Sequence, residues 1–112
     1  MCYHYSKYLD LIAASLEGFP ILPKLVTLDV SANKLSSLRG MPSLACLEEL
    51  FLSNNRITDL SFIDKCPRIN ELDISSNGLT TQLKPLASLK SLTVCIVLLL
   101  FICDGTDFAS FS

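Results

Sequence analysis

The chain has 112 residues, half of them hydrophobic, and a formal net charge of −2, which suits one domain with a continuous core. The near-neutral balance excludes a global basic field of the kind that gathers nucleic acid or an anionic membrane. The five cysteines (Cys2, Cys46, Cys66, Cys95 and Cys103) are odd in number and scattered without a C-x-x-C pair, and His4 is the only histidine. Neither a zinc site nor a disulfide framework is expected from that spacing, and scattered free thiols point to a reducing compartment.

The N-terminus makes a poor secretory signal, because Lys7 is the only early basic residue and Asp10 interrupts the apolar run from Leu9 to Leu16. Residues 1–24 read as an N-terminal cap and a degenerate first repeat. Leu16, Gly18 and Phe19 stand 22 residues before Leu38, Gly40 and Met41, but Leu11 and Ala13 break the later pattern. A first repeat has no neighbour on one side, so residues 1–15 are expected to form a short strand or helix over the open end of the core.

Residues 25–91 carry the repeats. The stretch LEELFLSNNRITDL at 47–60 has Leu47, Leu50 and Leu52 in the order L-x-x-L-x-L, with Asn55 three residues on. The same phase returns as Leu25, Leu28, Val30 and Asn33, and again as Ile69, Leu72, Ile74 and Asn77. A period of 22 with one strand per unit marks a leucine-rich repeat. Leu28, Leu50 and Leu72 are expected to line up inward in neighbouring strands, with Asn33, Asn55 and Asn77 turned inward as a structural ladder that satisfies backbone groups of the bend. A heptad coil does not fit, since 22 is not a multiple of seven and five prolines punctuate the chain. In the return segments Met41, Leu44, Ile63 and Cys66 share inward phases, and Ser61 is expected to cap a single turn ending before Pro67. Cys66 reads as a small core residue.

Residues 92–112 read as a degenerate last repeat and an apolar tail of uncertain origin. Leu89, Leu92 and Val94 repeat the L-x-x-L-x-L phase after a spacing of 20, with Val97 where Asn belongs. The run that follows from Leu92 is too short to span a bilayer, which needs about 20 residues. A final strand that caps the core is the favoured reading. A membrane-associated anchor and foreign sequence from a truncated or mis-spliced end are the alternatives.

The non-core strand positions should form one concave sheet face. By phase its rows are Val26, Glu48, Asn70 and Lys90; Thr27, Glu49, Glu71 and Ser91; and Asp29, Phe51, Asp73 and Thr93. Asp29, Glu48, Glu49, Glu71 and Asp73 make this face acidic, and Phe51 is expected to face solvent among them. An exposed aromatic ringed by acids suits a basic, partly apolar protein partner. The competing reading is a solvated face whose charges keep the sheet soluble. No enzyme constellation emerges: no acid pair, triad or phosphate loop is spaced for chemistry, and no cofactor or metal is expected.

The phrases LPKLVTLDVSANKLSSL, LEELFLSNNRITDL and KCPRINELDISSNGL resemble the 22-residue, intracellular class of leucine-rich repeat proteins. That class includes a regulatory subunit of protein phosphatase one, the spliceosomal A-prime protein, axonemal dynein light chain one and acidic leucine-rich nuclear phosphoproteins. The resemblance covers about residues 16–94. It implies an α/β repeat solenoid with a parallel concave β-sheet and short helical or irregular convex segments. It also implies a non-catalytic adaptor, regulator or scaffold, cytoplasmic or else nuclear or ciliary. A ribonucleoprotein component acting through a protein partner is the second functional reading, without direct nucleic-acid binding, because an acidic face repels phosphate.

Overall fold

The computed structural model describes residues 6–8, 15–79 and 84–96. Five three-residue strands form one sheet in sequence order: β1 (Ser6–Tyr8), β2 (Thr27–Asp29), β3 (Glu49–Phe51), β4 (Glu71–Asp73) and β5 (Val94–Ile96). Every neighbouring pair is parallel. Parallel pairing requires the chain to cross back after each strand, and the segments between strands do this with little regular structure. The described ones contain two 3-10 turns, Ile63–Lys65 and Lys84–Ser88.

Register shows how the leucine spacing becomes a layer. Leu28 pairs with Leu50, and Leu50 with Leu72, so each leucine stacks on the one 22 residues away. All three are fully buried, with Val30, Leu52 and Ile74 beside them. The two residues between the first and second leucines are accommodated by a doubled acceptor. Val26 O accepts from the backbone N–H of both Glu48 and Glu49, and Glu48 O accepts from both Asn70 and Glu71. This breaks strict alternation at the start of each strand. It lets Leu47 and Leu50 both point inward with Glu48 and Glu49 between them. In the return segments Met41 and Ile63 close the core, as do Leu44 and Cys66.

The fourth interval departs from the expected register. Leu72 pairs with Cys95, and Asp73 with Ile96, a spacing of 23 rather than 20. Leu92 and Cys95 therefore take the phases of Ile69 and Leu72, and Leu89 takes that of Cys66. Leu89 and Cys95 are buried. Leu79 still keeps the 22-residue phase of Ile57, whereas Leu86 stands 23 after Ile63, so the extra residue falls between 79 and 86. Val97 and the rest of the apolar tail lie outside the described residues, as do residues 1–5 and 9–14 of the N-terminal cap. No helix among the described residues is long and apolar enough to cross a membrane.

Asparagine amides tie successive bends together. Asn33 and Asn55 are buried and Asn77 is half-buried. The Asn55 Oδ1 accepts from the backbone N–H of Asn33 (3.0 Å) and Leu35 (2.9 Å). Its Nδ2 donates to Leu52 O (2.8 Å) and across to Val30 O (3.1 Å). Asn77 repeats this, accepting from Ile57 N–H (2.9 Å) and donating to Leu52 O and Ile74 O. Each bend also contains a left-handed residue just before the Asn: Ala32, Asn54 and Ser76, at φ between 55° and 59°. The amide bonds hold a turn that these residues would not favour alone.

A second periodic left-handed site lies in the return segments. Gly18 (φ 82°), Gly40 (φ 92°) and Phe62 (φ 79°) stand 22 residues apart. A Cβ at Gly40 would approach the Glu17 backbone to 2.7 Å, so glycine is required there on two counts. Phe62 meets the same backbone demand with a bulky side chain that is 43% exposed. It occupies the N-cap of the 3-10 turn. The expected Ser61 cap is absent: the Ser61 N–H and hydroxyl both donate to Asp59 Oδ1, which spends Ser61 on the preceding bend. Those bonds, the backbone one foremost, hold the Asp59 carboxyl below its usual value.

The cysteines also depart in part from expectation. Among the described residues Cys66 and Cys95 are buried and outside any disulfide, whereas Cys46 is disulfide-bonded, against the expectation of scattered free thiols. Burial foremost pushes the Cys66 thiol up to about 11.

Three outcomes follow from this packing. Asn55→Ala should lower the free energy of unfolding by about 1–3 kcal/mol in urea titration, because it strands buried backbone groups. Phe62→Gly should be more stable than Phe62→Ala by about 1 kcal/mol, reversing the usual order, because only glycine relieves the left-handed strain once the ring is gone. Cys66 should stay unalkylated in the folded chain at pH 8, by peptide mapping, and react once urea unfolds it. Since the folded thiol titrates above the unfolded one, its contribution to stability is complete below about pH 9 and falls as pH rises toward 11.

Candidate functional site

The outer face of the sheet collects the side chains that the leucine layer leaves out. Thr27, Glu49 and Glu71 are in register across β2–β4, and so are Asp29, Phe51 and Asp73. All six are half-buried, as is Glu48. The face therefore does bring Asp29, Glu48, Glu49, Phe51, Glu71 and Asp73 together. Three placements differ from the phase argument. Val26 is buried at 6% exposure rather than presented. Phe51 is half-buried rather than open to solvent. The 23-residue register also removes Lys90 and Ser91 from the face, puts Thr93 in the phase of Asn70, and places Val94 beside Glu71. Lys90 is exposed, and its Nζ donates to Ala87 O.

Hydrogen bonding divides the acids into two kinds. Asp29 Oδ1 accepts from Ser31 N–H (2.9 Å). Asp73 Oδ1 accepts from Ser75 N–H (3.0 Å) and its hydroxyl (2.7 Å). These aspartates are turn-formers, each with Oδ1 committed to its own turn. Glu49 accepts from the Thr27 hydroxyl. Glu48 and Glu71 have no side-chain partner among the described residues, and Glu49 and Glu71 lie side by side as like charges on neighbouring strands, an unfavourable cross-strand pair.

Phe51 stands out against this background. At its phase the flanking strands carry an aspartate that ties down the serine two residues on. Phe51 cannot make that bond to Ser53, so the middle bend gives up a local hydrogen bond for an aromatic ring. Sequence reasoning found Phe51 but missed Val94, which is 45% exposed. The available signal was the match of Cys95 to Leu72 at a spacing of 23, hidden by the more leucine-like phase of Leu89, Leu92 and Val94.

Among the described residues no group of three His, Cys, Asp or Glu side chains is placed to hold a metal ion. The family model for leucine rich repeats (2 copies) matches residues 47–91. No curated protein and no solved structure matches the chain. Leucine-rich repeats generally mediate protein–protein interaction and are typically non-catalytic. Strands β3 and β4, with the bends that follow them, fall inside the stretch that is similar to leucine-rich repeats.

Proposed function

We propose that the chain is a non-catalytic adaptor, regulator or scaffold that holds a basic protein partner on the outer, concave face of a short repeat solenoid. The observation that carries this reading is Phe51, a half-buried ring set between Asp29 and Asp73 where the neighbouring strands use a turn-forming aspartate. A position that forgoes a folding interaction for apolar surface is a candidate anchor, since aromatic side chains dominate binding energy at interfaces. The surrounding carboxylates supply charge complementarity to lysine and arginine, which steers association and selects against acidic partners. The same charge disfavours direct contact with nucleic-acid phosphate.

The test is affinity capture from cell lysate with the wild-type chain and with Phe51→Ala combined with Glu49→Lys. The double variant should lose its partner while keeping the wild-type circular dichroism spectrum and unfolding midpoint. Equal capture by both proteins would reject the face.

A further inference from the structure

Resting on the reading of this face as a partner site, we propose that its ligand is a peptide segment presenting one arginine or lysine between two apolar side chains. The cation sits against Glu49 and Glu71, and the apolar groups sit on Phe51 and Val94. The argument starts from register. Val94 is exposed, is paired with Glu71, and extends the row Glu49–Glu71 by one strand. Phe51 lies two residues along β3 from Glu49. With strands about 4.8 Å apart and a rise of about 3.3 Å per residue, Phe51 and Val94 are about 12 Å apart across the face. The two glutamates fill the corner between them.

Two physical facts make this arrangement selective. Glu71 has no partner among the described residues, and its neighbour Glu49 is satisfied only through the Thr27 hydroxyl. A cation placed between the two carboxylates removes a like-charge contact that the free protein must tolerate. The apolar groups at either end exclude water from that contact and strengthen it. Asp29 and Asp73 contribute less, because each has an oxygen committed to its own turn. Val94 is therefore a specificity-determining residue: it rewards an apolar side chain on the far side of the cation, in the row position where the sequence phase had placed Ser91.

The experiment uses the full chain and two synthetic fluorescent peptides. One has a central arginine flanked on each side by a leucine placed to span the Phe51–Val94 separation, and the other has glutamate in place of the arginine. Fluorescence anisotropy should show the arginine peptide binding at least tenfold more tightly than the glutamate peptide. Val94→Lys should weaken the arginine peptide tenfold or more, and Glu71→Lys should invert the preference between the two peptides. An arginine peptide that binds no better than the glutamate one, or binding indifferent to Val94→Lys, overturns the proposal. If lysate capture still depends on Phe51 and Glu49 in that case, the face remains the partner site and only this ligand chemistry falls. If capture is also unchanged, both fall together.

Discussion

The bond on which the rest of the structure depends is the one from an asparagine amide to the bend before it. A strand of three residues offers too few backbone hydrogen bonds to hold its own place, and the chain bends sharply at the ends of β2, β3 and β4. The bend leaves N–H and C=O groups pointing into an apolar interior, where an unpaired polar group is costly. Asn55 answers its own bend and the one before it at once, accepting from Asn33 and Leu35 and donating to Leu52 and Val30. The leucine layer and the amide ladder are thus one device: the leucines remove water from the interior, and the amides supply what water would have supplied.

That device accounts for how the outer face can vary. Once the buried positions are set by period, the intervening residues are free of folding duty except where they form turns. Asp29 and Asp73 retain such a duty through Ser31 and Ser75. Phe51 has shed it. The same middle unit also places Phe62 where Gly18 and Gly40 meet a left-handed backbone. Two phenylalanines in one unit stand against local preference, one on the sheet and one on the return segment. In both places the residue present is not the one that the local turn or backbone favours.

Most of the repeat core was legible because it depends on spacing alone. Leucine at fixed intervals with asparagine three residues on permits few other arrangements, and the same spacing named the acidic strand positions. What remained hidden depends on three-dimensional competition. Strand β5 was misplaced because Leu89, Leu92 and Val94 mimic the motif better than Leu92 and Cys95, which the sheet actually uses. A cysteine fills the middle-leucine position, and only pairing with Leu72 reveals it. The left-handed Phe62 was hidden because phenylalanine gives no hint of positive φ unless it is compared with residues 22 and 44 positions earlier. The turn role of the aspartates was readable in the D-x-S spacing at 29–31, 59–61 and 73–75, although that spacing does not show which carboxylates stay unpaired.

The most direct test of the ladder is hydrogen exchange at single amides. In the wild-type chain the N–H groups of Leu35 and Ile57, each held by the asparagine side chain of the following turn, should exchange far more slowly than exposed loop amides. Asn55→Ala should release Leu35 while leaving Ile57 protected by Asn77. Loop-like exchange at both positions in the wild type, or protection of Leu35 that survives the substitution, would contradict the account.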